Sequence, residues 1–240
     1  MGLDLSDWIS QDIYLCGEFE PTTSAIVKSI LRPGDLVVDV GANIGYFSLL
    51  FAHIVGPDGA VLAYEPVPAL SKQLTRNLEL NQIKNVTVSN IALSDHRGAA
   101  TFYVGRVSNT GASSLRPMKD SQSSFDVELA PFDELVDCPT AVSLIKIDVE
   151  GAELKVLRGM EKTLRQTQPH LLVEITDLFL REMGDSAEAL LTYIYSLGYK
   201  MYVILDGKVT LLEKHQSKLP WQWNALCVAD NRYGDGFALS

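Results

Sequence analysis

From Leu36 onward, short apolar runs alternate with longer stretches of helical period, and this alternation predicts βαβ units around a mainly parallel sheet. Leu36 to Val40 reads as the first strand. Phe47, Leu50, Phe51 and Ile54 recur at i, i+3, i+4 and i+7, so a helix follows that buries one stripe until Gly56-Pro57 stops it. Ala60 to Glu65 reads as a second strand, Leu70, Leu74, Asn77 and Leu78 mark a second helix, and Val86 to Ile91 reads as a third strand.

The middle of the chain is less regular. Ala99 to Val104 and Ser124 to Leu129 read as strands flanking the Gly- and Ser-containing stretch Ser108 to Ser114, a small β insertion near the site. Leu144 to Asp148 is almost wholly apolar apart from Lys146, as a strand covered on both faces would be. Leu154, Leu157, Met160 and Leu164 predict one further helix, Leu171 to Ile175 a fifth strand, and Ala187, Leu190, Leu191 and Ile194 another helix. Tyr199 to Leu205, Lys208 to Leu212 and Ala225 to Ala229 are terminal strands. Before Thr22 no period is strong, and Thr22 to Leu31 fits a helix packed on the core.

A length of 240 residues with 47% hydrophobic content suffices for one buried core, giving an N-terminal segment over residues 1–34 and one α/β domain over 35–240. Twenty basic against 30 acidic side chains leave a net charge of −10 with no run of Lys and Arg, so neither nucleic acid nor a membrane is an expected partner. Cys16, Cys138 and Cys227 form no CxxC pair or metal spacing, and acidic Asp4 and Asp7 stand where a signal peptide needs positive charge. The expected setting is the reducing cytoplasm.

Candidate chemistry begins after the first strand. Asp39-Val40-Gly41-Ala42-Asn43-Ile44-Gly45 lies between a strand and a helix, where loop amides can receive the polar part of a ligand and glycines permit close approach. Glu65, at the end of the second strand, stands where an acid accepts hydrogen bonds from both ribose hydroxyls. A dinucleotide fingerprint needs a glycine where Asn43 stands, and Asp39 would repel a pyrophosphate while suiting the ammonium of a methionine moiety. The loop and Glu65 together imply S-adenosylmethionine. The competing readings are a nucleotide-dependent oxidoreductase on a similar sheet and a non-catalytic cofactor-binding scaffold.

Further segments coincide with this loop: Glu65-Pro66, Asn77 with Asn81, Ala92-Leu93-Ser94-Asp95, Gly111-Ala112-Ser113-Ser114-Leu115, and Ile145-Lys146-Ile147-Asp148-Val149-Glu150-Gly151-Ala152-Glu153. In order and spacing, the chain from Asp35 to about Ile175 resembles the FkbM-type methyltransferase family. The resemblance implies a class I, Rossmann-like α/β fold with a seven-stranded, mainly parallel sheet and helices on both faces. It implies transfer of an activated methyl group to a hydroxyl on a sugar or secondary metabolite. It also implies that Glu65 holds the ribose, that Ala92 and Leu93 lie along the adenine, and that Asp39, Gly41, Ala42 and Asn43 surround the methionine part. Gly45, which leaves room for the chain to pass into the helix, and Pro66, next to Glu65, complete the expected cofactor-binding set.

Methyl transfer is an in-line displacement at a sulfonium, which needs positioning and then removal of the acceptor hydroxyl's proton. Lys146, Asp148 and Glu150 alternate at spacing two, so they share one face at the carboxyl edge of the sheet while the chain stays extended, and Glu174 ends the fifth strand. Asp148 is the expected main catalytic carboxylate, orienting the hydroxyl or acting as base, with Glu150 and Glu174 in support and Lys146 favouring its ionised form. These positions also resemble the strand ends of catechol-type O-methyltransferases, where Asp148 and Glu174 would bind a divalent cation. The expected partner is a small molecule with a hydroxyl group, and homo-oligomerisation is left open. Trp221 and Trp223 read as packing residues in preference to an acceptor wall.

Overall fold

The computed structural model describes residues 1–6, 8–104, 114–116, 121, 123–137, 141–205, 207–213 and 219–229; Gly111 to Ser113, most of Ser108 to Ser114, and Cys138 lie outside them. At the centre, β1 (Leu36–Val40) is buried at four of five positions because it lies between two parallel neighbours, β2 (Ala60–Tyr64) and β7 (Leu144–Ile147). Beyond β2 lies β3 (Val86–Ser89). Beyond β7 come β8 (His170–Thr176), β11 (Gln222–Ala229), β9 (Tyr199–Leu205) and β10 (Lys208–Leu211). β11 runs antiparallel to both β8 and β9. Seven of these strands form the expected sheet, and β10 adds an eighth at the edge, hairpinned on β9.

Alternation along the central strands divides the core into two layers. Val37, Leu144 and Leu172 face a cluster with Ile26 and Val27 of α2 (Pro21–Ile30) and Phe47 and Phe51 of α3 (Tyr46–Val55). Val38, Ile145 and Leu171 face the opposite cluster, with Leu154 and Leu157 of α6 (Glu153–Gly159), Leu164 of α7 (Glu161–Thr167) and Ile194 of α9 (Ala187–Ser196). Each such fully buried Leu, Ile or Phe contributes roughly 1.5–3 kcal/mol over leaving it exposed. Because Ile26, Val27 and Leu31 belong to the main core, α2 is part of the structure that supports the sheet.

Several elements differ from the sequence expectation. One helix over Leu154 to Leu164 is two, broken at Met160 (φ −123°, ψ 20°) beside Gly159, where an added Cβ would lie 1.9 Å from the Ser94 carbonyl oxygen. The apolar stripe runs through this break, so periodicity cannot register it. α1 (Trp8–Cys16) escapes prediction because only Ile9 and Ser10 are buried. The short helices α5 (Phe132–Leu135) and α8 (Asp177–Glu182) are too brief to show a period. β3 stops at Ser89, two residues before Ile91. The chain then enters a separate three-stranded sheet of β4 (Ala92–Leu93), β6 (Ser123–Ala130) and β5 (Gly98–Val104), the expected β insertion. Among the described residues no helix is long and apolar enough to cross a membrane.

Candidate active site

The loop from β1 to α3 holds its shape through its own hydrogen bonds. Gly41 and Ala42 both donate their backbone N–H to the Tyr64 carbonyl, at 2.9 and 3.1 Å, and Gly45 donates to the Ala42 carbonyl at 2.9 Å. Asn43, in the left-handed region at φ 50°, donates its N–H to Glu65 Oε2 at 2.8 Å, and its own Oδ1 accepts from Ile44 N at 2.7 Å. Every amide from Gly41 to Gly45 is therefore engaged within the protein. This corrects the expectation that loop amides receive the polar part of a ligand, and it leaves no nest of free donors for a pyrophosphate.

Close packing gives the glycines their steric purpose. Gly41 has φ +80°, and a Cβ there would stand 1.9 Å from the Asp148 carbonyl oxygen, while a Cβ on Gly45 (φ +90°) would stand 2.1 Å from Leu74 Cδ1. Buried Asn77 on α4 (Pro68–Leu80) braces the loop by donating Nδ2 to the Ile44 carbonyl at 2.8 Å.

Glu65 is 4% exposed, with Oε1 accepting from Val67 N at 2.9 Å and Oε2 from Asn43 N. Each oxygen retains acceptor capacity for a ligand hydroxyl. Burial pushes the Glu65 carboxyl up to about 7 against the pull of those two amides. Asp39 is fully buried; Ser48 Oγ donates to its Oδ2 at 2.6 Å, while Oδ1 has no partner. Burial raises the Asp39 carboxyl as well, opposed first by Lys146. Both acids line one cavity of ≈ 280 Å³. Pro66, Ala92, Leu93 and Phe102 supply apolar wall to the same cavity, so the sequence-predicted cofactor residues Asp39, Gly41, Ala42, Asn43, Glu65, Pro66, Ala92 and Leu93 converge there. Gly45 acts from behind, as the left-handed cap of α3.

The acids at the sheet's carboxyl edge line this cavity too. Register explains their meeting: Asp39 is level with Lys146 on β7, and Ile147 is level with Val173 on β8, so the next residues, Asp148 and Glu174, adjoin. β7 ends at Ile147, and Asp148 N donates to the Val40 carbonyl at 3.0 Å. Glu150 follows in the left-handed region at φ 55°, which corrects the expectation of an extended chain through this position. The turn still brings Glu150 back: ligand oxygens of Asp148, Glu150 and Glu174 all lie within 4.8 Å of one another.

Lys146 Nζ donates to Asp148 Oδ2 at 2.9 Å and sits 4.9 Å from the centre of the Phe47 ring. Burial pushes the Asp148 carboxyl up, but Lys146 and a hydrogen bond from Glu174 outweigh it and hold the group below its ordinary value. Glu174 goes the other way, raised well above that range by burial and by the adjacent Asp148 charge, so it keeps the proton it shares with Asp148. Burial and the same charge push Glu150 up to about 8, and its Oε2 is buried without a partner. Glu153, in contrast, is structural, since its Oε1 accepts from Gly151 N at 2.9 Å at the start of α6.

Sequence reasoning missed the residues from the two ends of the chain. Trp8, Phe19 and Glu20 line the cavity from the N-terminal side and Trp221 and Gln222 from the approach to β11. Trp221, read as packing, is 73% exposed at the cavity, whereas Trp223 is the core residue at 5%. No spacing rule links such distant, isolated side chains.

Known proteins resemble this chain in sequence and in fold. Residues 39–201 match the methyltransferase FkbM domain. The chain is 31% identical over 187 residues to Methyltransferase 1 of Beauveria bassiana (strain ARSEF 2860), covering 70% of this chain and 73% of that protein. It is 30% identical over 161 residues to the 31-O-demethyl-FK506 methyltransferase FkbM of Streptomyces tacrolimicus, covering 55% of this chain and 61% of that protein. The crystal structure of methyltransferase FkbM from Methylobacillus flagellatus KT superposes with a TM-score of 0.53 at 18% identity, over 95% of this chain and 56% of that one, and so shares the class I methyltransferase fold. The matched domain takes in the loop after β1, Glu65 and the acids of β7 and β8, and the chain belongs to the FkbM methyltransferase family.

Proposed function

We propose that the protein is an S-adenosylmethionine-dependent O-methyltransferase acting on a hydroxyl of a sugar or secondary-metabolite acceptor. The observation that carries this reading is the single cavity joining Glu65 and Asp39 to the carboxylates of Asp148, Glu150 and Glu174. At one end Glu65 accepts the ribose hydroxyls and the unpartnered Asp39 Oδ1 suits the methionine ammonium. The engaged amides of Gly41 to Gly45 disfavour a dinucleotide and so the oxidoreductase alternative. When bound, the cofactor supplies the sulfonium methyl. The protein's part is to orient the acceptor hydroxyl and take its proton as the oxygen attacks. Asp148, held ionised by Lys146, orients the hydroxyl, and Glu150 with its free oxygen receives the proton. The O-methyl direction draws support from the FkbM relative, whose name describes a 31-O-demethyl substrate.

A second reading is favoured by the mutual approach of Asp148, Glu150 and Glu174, which could hold a divalent cation that polarises the hydroxyl. The Lys146 ammonium already occupies Asp148 Oδ2, which supports the metal-free reading. Turnover that survives EDTA dialysis agrees with it; loss restored by Mg²⁺ overturns it. The central test is calorimetric titration with S-adenosylhomocysteine. Binding to the wild type with loss of affinity of about tenfold or more in Glu65→Ala is expected for two removed hydrogen bonds. Equal affinity in the variant refutes the assignment.

A further inference from the structure

A second cavity of ≈ 330 Å³ opens beside the first, between the start of α2 and the start of β11. Glu20, Glu174, Trp221 and Gln222 line both, so these four side chains form the partition between them. Glu20, Trp221 and Gln222 lie outside residues 39–201, the stretch that matches the family's domain, where acceptor preference has room to vary.

Glu20 stands at this partition in an unfavourable backbone conformation, φ 45° and ψ 67°, which persists only where the surroundings over-determine it. They do so here. Ser24 Oγ donates to the Phe19 carbonyl at 3.0 Å, and Asn224 Nδ2 donates to Glu20 Oε2 at 3.0 Å. Two residues earlier on β11, Gln222 Nε2 donates to Glu174 Oε1, so alternate amides on one strand face fix the two carboxyls.

The N-terminal arm, residues 8–20, thereby brings the Glu20 carboxyl beside Asp148, Glu150 and Glu174, in the cavity that Asp39 and Glu65 also line. Lys146, their cation, is committed to Asp148. Aromatic side chains line the arm's side: Phe19 packs edge-on with Trp8 at 5.7 Å and with Tyr46 at 5.8 Å. Near pH 7 Glu174 and Glu150 hold their protons and Lys146 offsets Asp148, so these three exchange hydrogen bonds with ring hydroxyls and add little net charge. Burial raises the Glu20 carboxyl as well, with Lys146 opposing it, and the Asn224 amide on its Oε2 is neutral. Ionised Glu20 is therefore the group that attracts an ammonium and repels an anion, while aromatic faces favour ring C–H and ammonium groups.

We propose that Glu20 is a specificity-determining residue that makes the acceptor chamber a charge filter, admitting hydroxylated rings that are neutral or amine-bearing and rejecting those with an anionic group. This rests on the methyltransferase reading of the same site. Methyl glucoside, methyl glucosaminide and methyl glucuronide share one ring and differ in charge. Their binding to the protein saturated with S-adenosylhomocysteine, followed by saturation-transfer NMR near pH 7, is expected to weaken by about tenfold from glucosaminide to glucuronide. In Glu20→Gln that ratio falls to about threefold or less, and in Glu20→Asp, which keeps the charge, it persists. Retained affinity for S-adenosylhomocysteine reports that each variant is folded. An unchanged ratio in Glu20→Gln, a lost one in Glu20→Asp, equal binding of the glucuronide by the wild type, or no binding of any of the three overturns the filter. Absence of S-adenosylhomocysteine binding by the wild type removes the methyltransferase reading itself, whereas normal binding with a flat charge ranking removes the filter alone.

Discussion

Lys146 Nζ lies 2.9 Å from Asp148 Oδ2, with the lysine side chain 7% exposed and the aspartate 29% exposed. Burial disfavours both charges, and their attraction offsets that penalty while both partners remain. The pair sets the protonation of its neighbours: with Asp148 ionised, Glu174 retains a proton and Glu150 is held up to about 8. One cavity thus contains three carboxyls pushed to different proton affinities, an arrangement that lets similar groups take separate roles.

Removing the cation exposes this dependence. Lys146→Met leaves Asp148 and its neighbours without compensation, and urea denaturation near pH 8 is expected to show a loss of about 3 kcal/mol. Without Lys146 the Asp148 carboxyl rises above its unfolded value, so stability falls as pH climbs, and the deficit shrinks near pH 5. A deficit independent of pH would show that the lysine acts through packing alone.

Asp148→Asn keeps the shape and removes the charge that orients the hydroxyl. Turnover is expected to fall by about 100-fold or more, while calorimetric affinity for S-adenosylmethionine changes little. Wild-type turnover in that variant excludes Asp148 from catalysis.

The cofactor half of the cavity was legible because its determinants are local: Asp39 to Gly45 make one turn and Glu65 ends the next strand. Strand alternation likewise paired Lys146 with Asp148. The acceptor half depends on tertiary approach. Glu20 and Trp8 lie on an arm with little buried surface, and Gln222 and Asn224 read as ordinary polar strand residues until β11 is seen beside β8. Ser48, the hydrogen-bond partner of Asp39, is one small hydroxyl in a helix, and nothing in its spacing marks it. The left-handed turn at Glu150 was equally hidden, since extended alternation and a tight turn bring its side chain to the same cavity.

Gly41→Ala tests the close approach of the two strand-end loops. The added methyl would sit 1.9 Å from the Asp148 carbonyl oxygen on a backbone at φ +80°, so the loop must shift. A stability loss of about 2–3 kcal/mol is expected, with weakened S-adenosylhomocysteine binding. Wild-type melting and affinity would mean that the loop yields freely.

Buried carboxyls also shape global stability. Burial raises Glu153 to about 7 from its ordinary 4.5, so the folded state binds this proton more tightly than the unfolded chain. Its favourable contribution is complete below about pH 4.5 and is lost as pH rises towards 7, at up to about 1.4 kcal/mol per pH unit. Calorimetric melting should therefore show stability declining across this window, and Glu153→Gln, which can still accept from Gly151 N, should flatten the slope. An unaltered slope would place the titration on other groups.

The pH dependence of turnover separates the two carboxylates that the mechanism uses. Asp148 is ionised throughout the neutral range, so it contributes no limb there. Glu150 must lose its proton before it can accept one, and its carboxyl is raised to about 8 by burial and the Asp148 charge. Under single-turnover conditions with saturating cofactor and acceptor, the rate is therefore expected to rise about tenfold per pH unit below that value and level off above it. Glu150→Gln removes the base, lowers the rate by about 100-fold or more and abolishes the limb. A structural role for Glu150 would leave the limb in place at reduced amplitude, and a limb that persists in the variant transfers the proton-accepting role to another group.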